Sequence, residues 1–210
     1  MEHKIKSKIV MKWIVTLIIV ICATNLYGQS DKNIELPVSA KESVVEWTGK
    51  KLTGEHYGNI NLTEGILLLS GNTLKGGSFV FDMNSITCTD ITDEKSNKRL
   101  VDHLKSDDFF SIRTYPTAKF VITNVTKKED DVYDITGNLT IKNITKPVSF
   151  PTTLARKNGK VTAFATIIFD RSKFDVKFGS QTFFDNLGDK LVYDDVELKV
   201  TLTSKLQSNQ

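Results

Sequence analysis

An all-β fold, antiparallel and closed into a barrel, is what this sequence predicts, and three observations carry the expectation. Apolar and polar residues alternate with a period of two through most of the chain after residue 40, the links between alternating runs are short and turn-like, and one stretch alone carries helical spacing. Eight runs read as strands, at about 42–50, 57–70, 74–83, 117–126, 131–142, 145–156, 160–170 and 191–204.

Taken in order, the first run carries Val45 and Trp47 on one face, and the second, 57–70, is among the longest. The third aligns Phe79 with Phe81 and the fourth Phe120 with Ile122. A helical turn pattern follows the third run at about Asn97 to Lys105, where Leu100 and Leu104 stand four apart on one face. The fifth run, "VYDITGNLTI", is the clearest: Tyr133, Ile135, Leu139 and Ile141 share one side, and Asp134, Thr136, Asn138 and Thr140 the other. Such a strand has one dry face and one wet face. The sixth carries Val148 and Phe150, but Pro147 and Pro151 lack a ladder donor, so it should be bulged or lie partly at an edge. "KKEDD" joins the fourth and fifth runs, and Asn158-Gly159 before the seventh suits a type I′ hairpin turn, which needs positive φ. In the last run Val196, Leu198, Val200 and Leu202 oppose Glu197, Lys199, Thr201 and Thr203.

Eight such strands left open would expose two long edges, and closure removes both. A barrel of this strand number either fills its interior with side chains or holds one small ligand. Several runs exceed the usual five or six residues, so the barrel should be elongated. The inward set is Val45, Trp47, Phe79, Phe81, Phe120, Ile122, Tyr133, Ile135, Leu139, Val148, Phe150, Val196 and Leu198. Two readings of that set stand side by side at this point: a packed core, or the wall of an apolar ligand cavity. Leu104, Phe109 and Phe110, around the segment between the third and fourth runs, would lie at one end of the tube as a mouth or lid. Asp107 and Asp108 beside them would face water and help to turn the chain.

The N-terminus sets the compartment. Lys4, Lys6, Lys8 and Lys12 precede the apolar run Trp13 to Ala23, and small residues follow up to "LYGQS", the pattern of a signal peptide over residues 1–28 with cleavage between Gly28 and Gln29. The run is shorter than the roughly 20 residues of a spanning helix, and Ile21 before Cys22 argues against lipidation. Residues 29–41 then form an N-terminal extension and residues 42–206 one barrel domain, of a size that buries a single core. The leader carries four of the 28 Lys and Arg and one of the 25 Asp and Glu, which leaves 24 of each, a balance with no basic patch for nucleic acid. Cys88 is the one cysteine after the leader, so no intrachain disulfide is expected in an oxidising, periplasmic or secreted setting. Four Asn-x-Thr triplets, at Asn61, Asn124, Asn138 and Asn143, arise easily in a threonine-rich β protein.

No catalytic or metal constellation emerges. After the leader the histidines are His56 and His103, whereas a catalytic zinc takes three protein ligands. "DHLKSDD" lacks the spacing and glycine of an EF-hand, there is no G-x-S-x-G, P-loop or G-x-G-x-x-G, and Cys88 has no evident histidine partner. The expectation is a non-enzyme without catalytic residues, metal or cofactor.

Three segments carry a family resemblance. "HLKSDDFF" (His103 to Phe110) with "YPTAKF" (Tyr115 to Phe120), "GNLTIKNITKPVSF" (Gly137 to Phe150) and "DRSKFDV" (Asp170 to Val176) follow, in order, the motifs of the YceI-like family of lipocalin-like, polyisoprenoid-binding proteins. The chain from about Glu42 to Leu206 resembles that family and departs from it at Leu100-Val101, where many members carry Arg-Asp, and at Asn143 and Asp175, where glycine is usual. The resemblance implies an exported, lipocalin-like eight-stranded barrel whose interior takes an isoprenoid lipid or quinone non-covalently. The expected role is to sequester or transport it, with a transient membrane surface as partner. His103 and Arg171 are the candidate headgroup contacts; Arg99, Arg113 and Lys173 also flank loops. The alternatives are a structural or interaction protein with a filled barrel, and a hydrolase resting on His103. The sequence carries no sign of an oligomeric state.

Overall fold

The computed structural model describes residues 33–206, so the expected leader and its cleavage site lie outside the described residues. The strands are β1 (Asn33–Pro37), β2 (Val44–Lys51), β3 (Gly54–Asn59), β4 (Asn61–Ser70), β5 (Thr73–Asp82), β6 (Thr117–Glu129), β7 (Val132–Ile141), β8 (Ile144–Lys157), β9 (Lys160–Asp170) and β10 (Val192–Lys205). They form one antiparallel sheet in the order β1-β4-β5-β6-β7-β8-β9-β10-β2-β3. The sheet curls so that its two ends meet: Val38 bridges Ser204, the Ser39 N–H donates to Thr203 O at 2.7 Å, and the Ile60 N–H donates to Val45 O at 3.0 Å.

The strands number ten rather than the expected eight. The run at 57–70 breaks at Ile60 into β3, which pairs with β2, and β4, which pairs with β1 and β5. β1 lies within the stretch read as an N-terminal extension, and the 3-10 turn Ala40–Glu42 separates it from β2. β1 and β2 serve different neighbours, β4 and β10 respectively.

The helix α1 (Glu94–Lys105) begins three residues before the expected Asn97 because Asp93 caps it, its Oδ1 accepting the Ser96 N–H at 2.8 Å. Asn158 and Gly159 have φ of 52° and 68°, as a type I′ hairpin requires. Asn143 and Asp175, the two departures from family glycines, both sit at φ 60°. Asn and Asp tolerate that left-handed conformation better than other non-glycine residues, so the backbone path survives the exchange.

Two ladders are incomplete. β5 pairs with β6 only from Ser78 to Asp82, and β8 pairs with β9 only from Thr152 to Lys157. Residues 144–151 of β8 therefore have a strand partner on the β7 side alone, where the register runs unbroken past Pro147 and Pro151. A continuous ladder past both prolines places their nitrogens toward β9. The partly edge-like strand expected from these prolines is thus present.

One end of the barrel is solid. Leu36, Leu69, Tyr133 and Val161 are almost fully buried there, each large aliphatic side chain contributing about 1.5–3 kcal/mol. Beneath them Arg156 joins Asp131 and the Asn72 carbonyl, tying β8 to the β4–β5 and β6–β7 turns. The other end is hollow and lies under α1.

Candidate functional site

Two apolar chambers follow one another inside the barrel. The outer chamber, about 270 Å³, is walled by β2, β3, β5, β6, β7, β9 and β10 and closed over by α1 and the segments after β5, α1 and β9. The inner chamber, about 60 Å³, lies among Phe79, Phe120, Ile122, Ile135, Phe150 and Ile167. Phe81, Leu139 and Leu198 line both and form the neck between them.

The expected inward residues divide accordingly. Val45, Trp47, Phe81, Leu139, Val196 and Leu198 line the outer chamber, and Phe79, Phe120, Ile122, Ile135, Val148 and Phe150 line the inner one. Tyr133 belongs instead to the solid end: it is 1% exposed, and its hydroxyl lies 3.5 Å from the Leu74 N–H. Alternation assigned it to the inner face and could not say at which height along the bore it sits.

Leu104, Phe109 and Phe110, the residues read as a mouth or lid, all border the outer chamber. The Phe109 ring meets His103 edge-on at 5.0 Å, Phe178 at 5.3 Å and Phe110 at 6.4 Å between centroids. Asp107 and Asp108 face water, but the turn is made by Ser106, whose carbonyl accepts from the Phe109 and Ser111 amides and whose hydroxyl accepts from the Asp108 N–H. α1 is fastened at its other side by Asn97, whose Nδ2 donates to the carbonyls of Cys88 and Ile91 at 2.9 Å, and Trp47 Nε1 donates to Thr87 O at 3.0 Å nearby.

Both candidate headgroup contacts line the outer chamber, and both already have protein partners. His103 Nε2 lies 3.1 Å from Asp108 Oδ2. Arg171 is 2% exposed rather than solvated. Its Nε, Nη1 and Nη2 donate to the carbonyls of Tyr193, Val176 and Val192 at 3.1, 2.9 and 2.9 Å, and Nη2 lies 3.3 Å from Asp194 Oδ1. Burial pulls this guanidinium below the ordinary arginine range, and the charges of Asp194 and Asp170 oppose that shift. Asp194 also accepts from Ser180 and Thr182, so it anchors the segment between β9 and β10 against β10.

Alternation did not reveal Lys50, Lys51, His56 or Phe178, which also border the outer chamber. Phe178 is 41% exposed yet stacks edge-on against His103 at 4.4 Å; it lies outside any alternating run. His56 Nδ1 is 2.8 Å from Asp90 Oδ2, and Asp90 Oδ1 also accepts from the Tyr57 amide and the Cys88 thiol. Burial raises the Cys88 thiol, which disfavours the nucleophilic thiolate. Burial also pushes the Asp90 carboxyl up, but the bonds from His56, Tyr57 and Cys88 outweigh it and hold the group below the ordinary carboxylate range. A depressed folded pKa stabilises the fold above the unfolded value of about 3.9, and the contribution is lost as pH falls through the folded value. Asp90→Asn should therefore be less stable than wild type near neutrality and lose less stability on acidification, read by urea denaturation at a series of pH values; parallel pH curves would refute this.

Comparison with known proteins places this architecture. A UPF0312 protein of Pseudomonas putida is 47% identical over 51 residues, 24% of this chain and 27% of the relative. A UPF0312 protein of Photorhabdus laumondii is 38% identical over 79 residues, 34% of this chain and 41% of the relative. The matched span is thus less than half the length of these curated relatives. The crystal structure of Burkholderia cenocepacia BcnA superposes with a TM-score of 0.61 at 25% identity, covering 79% of this chain and 98% of BcnA. A polyisoprenoid binding domain from Saccharophagus degradans shares the fold, with a TM-score of 0.59 at 14% identity over 83% of this chain and 99% of that domain. A family model described as a YceI-like domain matches residues 37–204, from the end of β1 to the end of β10, and the chain belongs to the YceI-like family.

Proposed function

We propose that the protein binds an amphiphilic isoprenoid, a polyprenyl lipid or a quinone, non-covalently inside the barrel, and sequesters or shuttles it between membrane surfaces in the periplasm after export. The observation that carries this reading is the pair of apolar chambers joined at Phe81, Leu139 and Leu198. Membership of the YceI-like family and the fold shared with a polyisoprenoid binding domain support it. The energetics suffice without a catalytic group. Burial is worth roughly 0.8 kcal/mol per CH₂, so one five-carbon unit contributes about 3–4 kcal/mol against the freedom lost on binding.

Extraction of the freshly purified, folded protein with apolar solvent, followed by mass spectrometry, should yield a prenyl compound near one per chain. Phe109→Ala, which opens the roof of the outer chamber, should retain less of it. An extract without any long-chain apolar compound, combined with failure to take up added prenol, would reject the proposal in favour of a filled barrel.

A further inference from the structure

The polar groups expected to meet a ligand are occupied by protein partners, whereas a polar group deep inside is not. Thr152 lines the inner chamber, is 6% exposed, and its Oγ1 has no hydrogen-bond partner among the described residues. Every other side chain lining that chamber is apolar. Three other buried hydroxyls among the described residues are satisfied: Thr203 pairs with Thr162 at 3.3 Å, Ser204 donates to Leu36 O at 3.5 Å, and Ser180 donates to Asp194 at 2.9 Å. A hydroxyl buried without a partner is destabilising, and valine has nearly the same shape without that penalty.

We infer that Thr152 is a ligand-binding residue, and that the inner chamber receives a neutral oxygen-bearing group of the guest: a hydroxyl, carbonyl or ether. A threonine hydroxyl both donates and accepts, so it suits any of these. An ionic group does not fit, since no charged side chain lines the chamber and a buried ion without a counter-charge is strongly unfavourable. A water does not fit well either, because buried waters typically make two to four hydrogen bonds and these walls offer a single side-chain hydroxyl. The guest therefore lies oxygen-first, with its hydrocarbon chain in the outer chamber beneath Leu104 and Phe109. This rests on the isoprenoid reading above and adds an orientation and a selectivity to it.

The test is competitive loading of the full chain with equimolar phytanol and phytane, a saturated isoprenoid alcohol and its parent alkane, with the bound pair extracted and measured by gas chromatography. Loss of one hydrogen bond should lower the bound phytanol-to-phytane ratio about fivefold in Thr152→Val relative to wild type. Thr152→Ser, which keeps the hydroxyl, should hold the wild-type ratio within about twofold. Thr152→Ala, which lacks it, gives the same comparison should the valine variant fail to fold. An unchanged ratio in the variants without a hydroxyl, or an equal fall in Thr152→Ser, overturns the assignment while leaving isoprenoid binding intact. Uptake of neither compound by wild type overturns both.

Discussion

Arg171→Met is expected to destabilise the protein by about 3–5 kcal/mol, the range found when one member of a buried ion pair is removed. The magnitude follows from what the guanidinium holds. Without it Asp194 keeps a buried charge, and the carbonyls of Val176, Val192 and Tyr193 lose their donors together. Arg171→Lys should recover little, because a single ammonium cannot present donors along the three directions that the planar fork spans. Val192 and Tyr193 also line the outer chamber, so ligand uptake should fall with stability. Urea unfolding midpoints of the two variants measure the first effect, and a wild-type-like midpoint in Arg171→Met would show that Arg171 does not brace the segment between β9 and β10.

Val196→Trp should separate binding from folding. Val196 is half-buried on β10 and borders the outer chamber, so an indole there would extend into the void instead of into packed neighbours. The stability change should stay within about 1.5 kcal/mol, below the worst cost of overpacking. Excluding even one isoprene unit forfeits about 3–4 kcal/mol of burial, and each 1.4 kcal/mol is tenfold, so affinity for a C20 prenol should drop by at least about a hundredfold. Val121→Trp, on the outward face of β6, serves as the control and should bind as wild type does. Equal affinity in the two tryptophan variants would mean that the guest does not occupy the outer chamber.

Strand alternation was readable wherever one face meets water and the other does not, as in β7 and β10. It failed where few residues are buried or where the parity changes. β1 buries only Leu36 among its five residues, so its periodic signal is weak. In β4 the buried positions switch from even to odd between Leu62 and Gly65, where the register with β5 shifts. The lining of the cavity was legible as parity, which explains why the aromatic and aliphatic wall was found and why Tyr133 was grouped with it. Polar lining was harder. Lys51 and His56 border the outer chamber, and sequence does not reveal that these positions of β2 and β3 reach it. Arg171 read as a loop charge because, apart from Asp194, its partners are backbone carbonyls five to 22 residues away, and no side-chain pattern marks a carbonyl as an acceptor. Thr152 continues the parity of Val148 and Phe150, but nothing in that parity marks a hydroxyl without a partner.

The two prolines of β8 bear on whether a copy of this chain could pair along that strand. An unzipped strand margin normally invites a neighbouring chain to add itself, the first step toward aggregates. Pro147 and Pro151 withhold the amide hydrogens that such a visitor would need, so the wall beside the inner chamber remains unstitched without becoming adhesive.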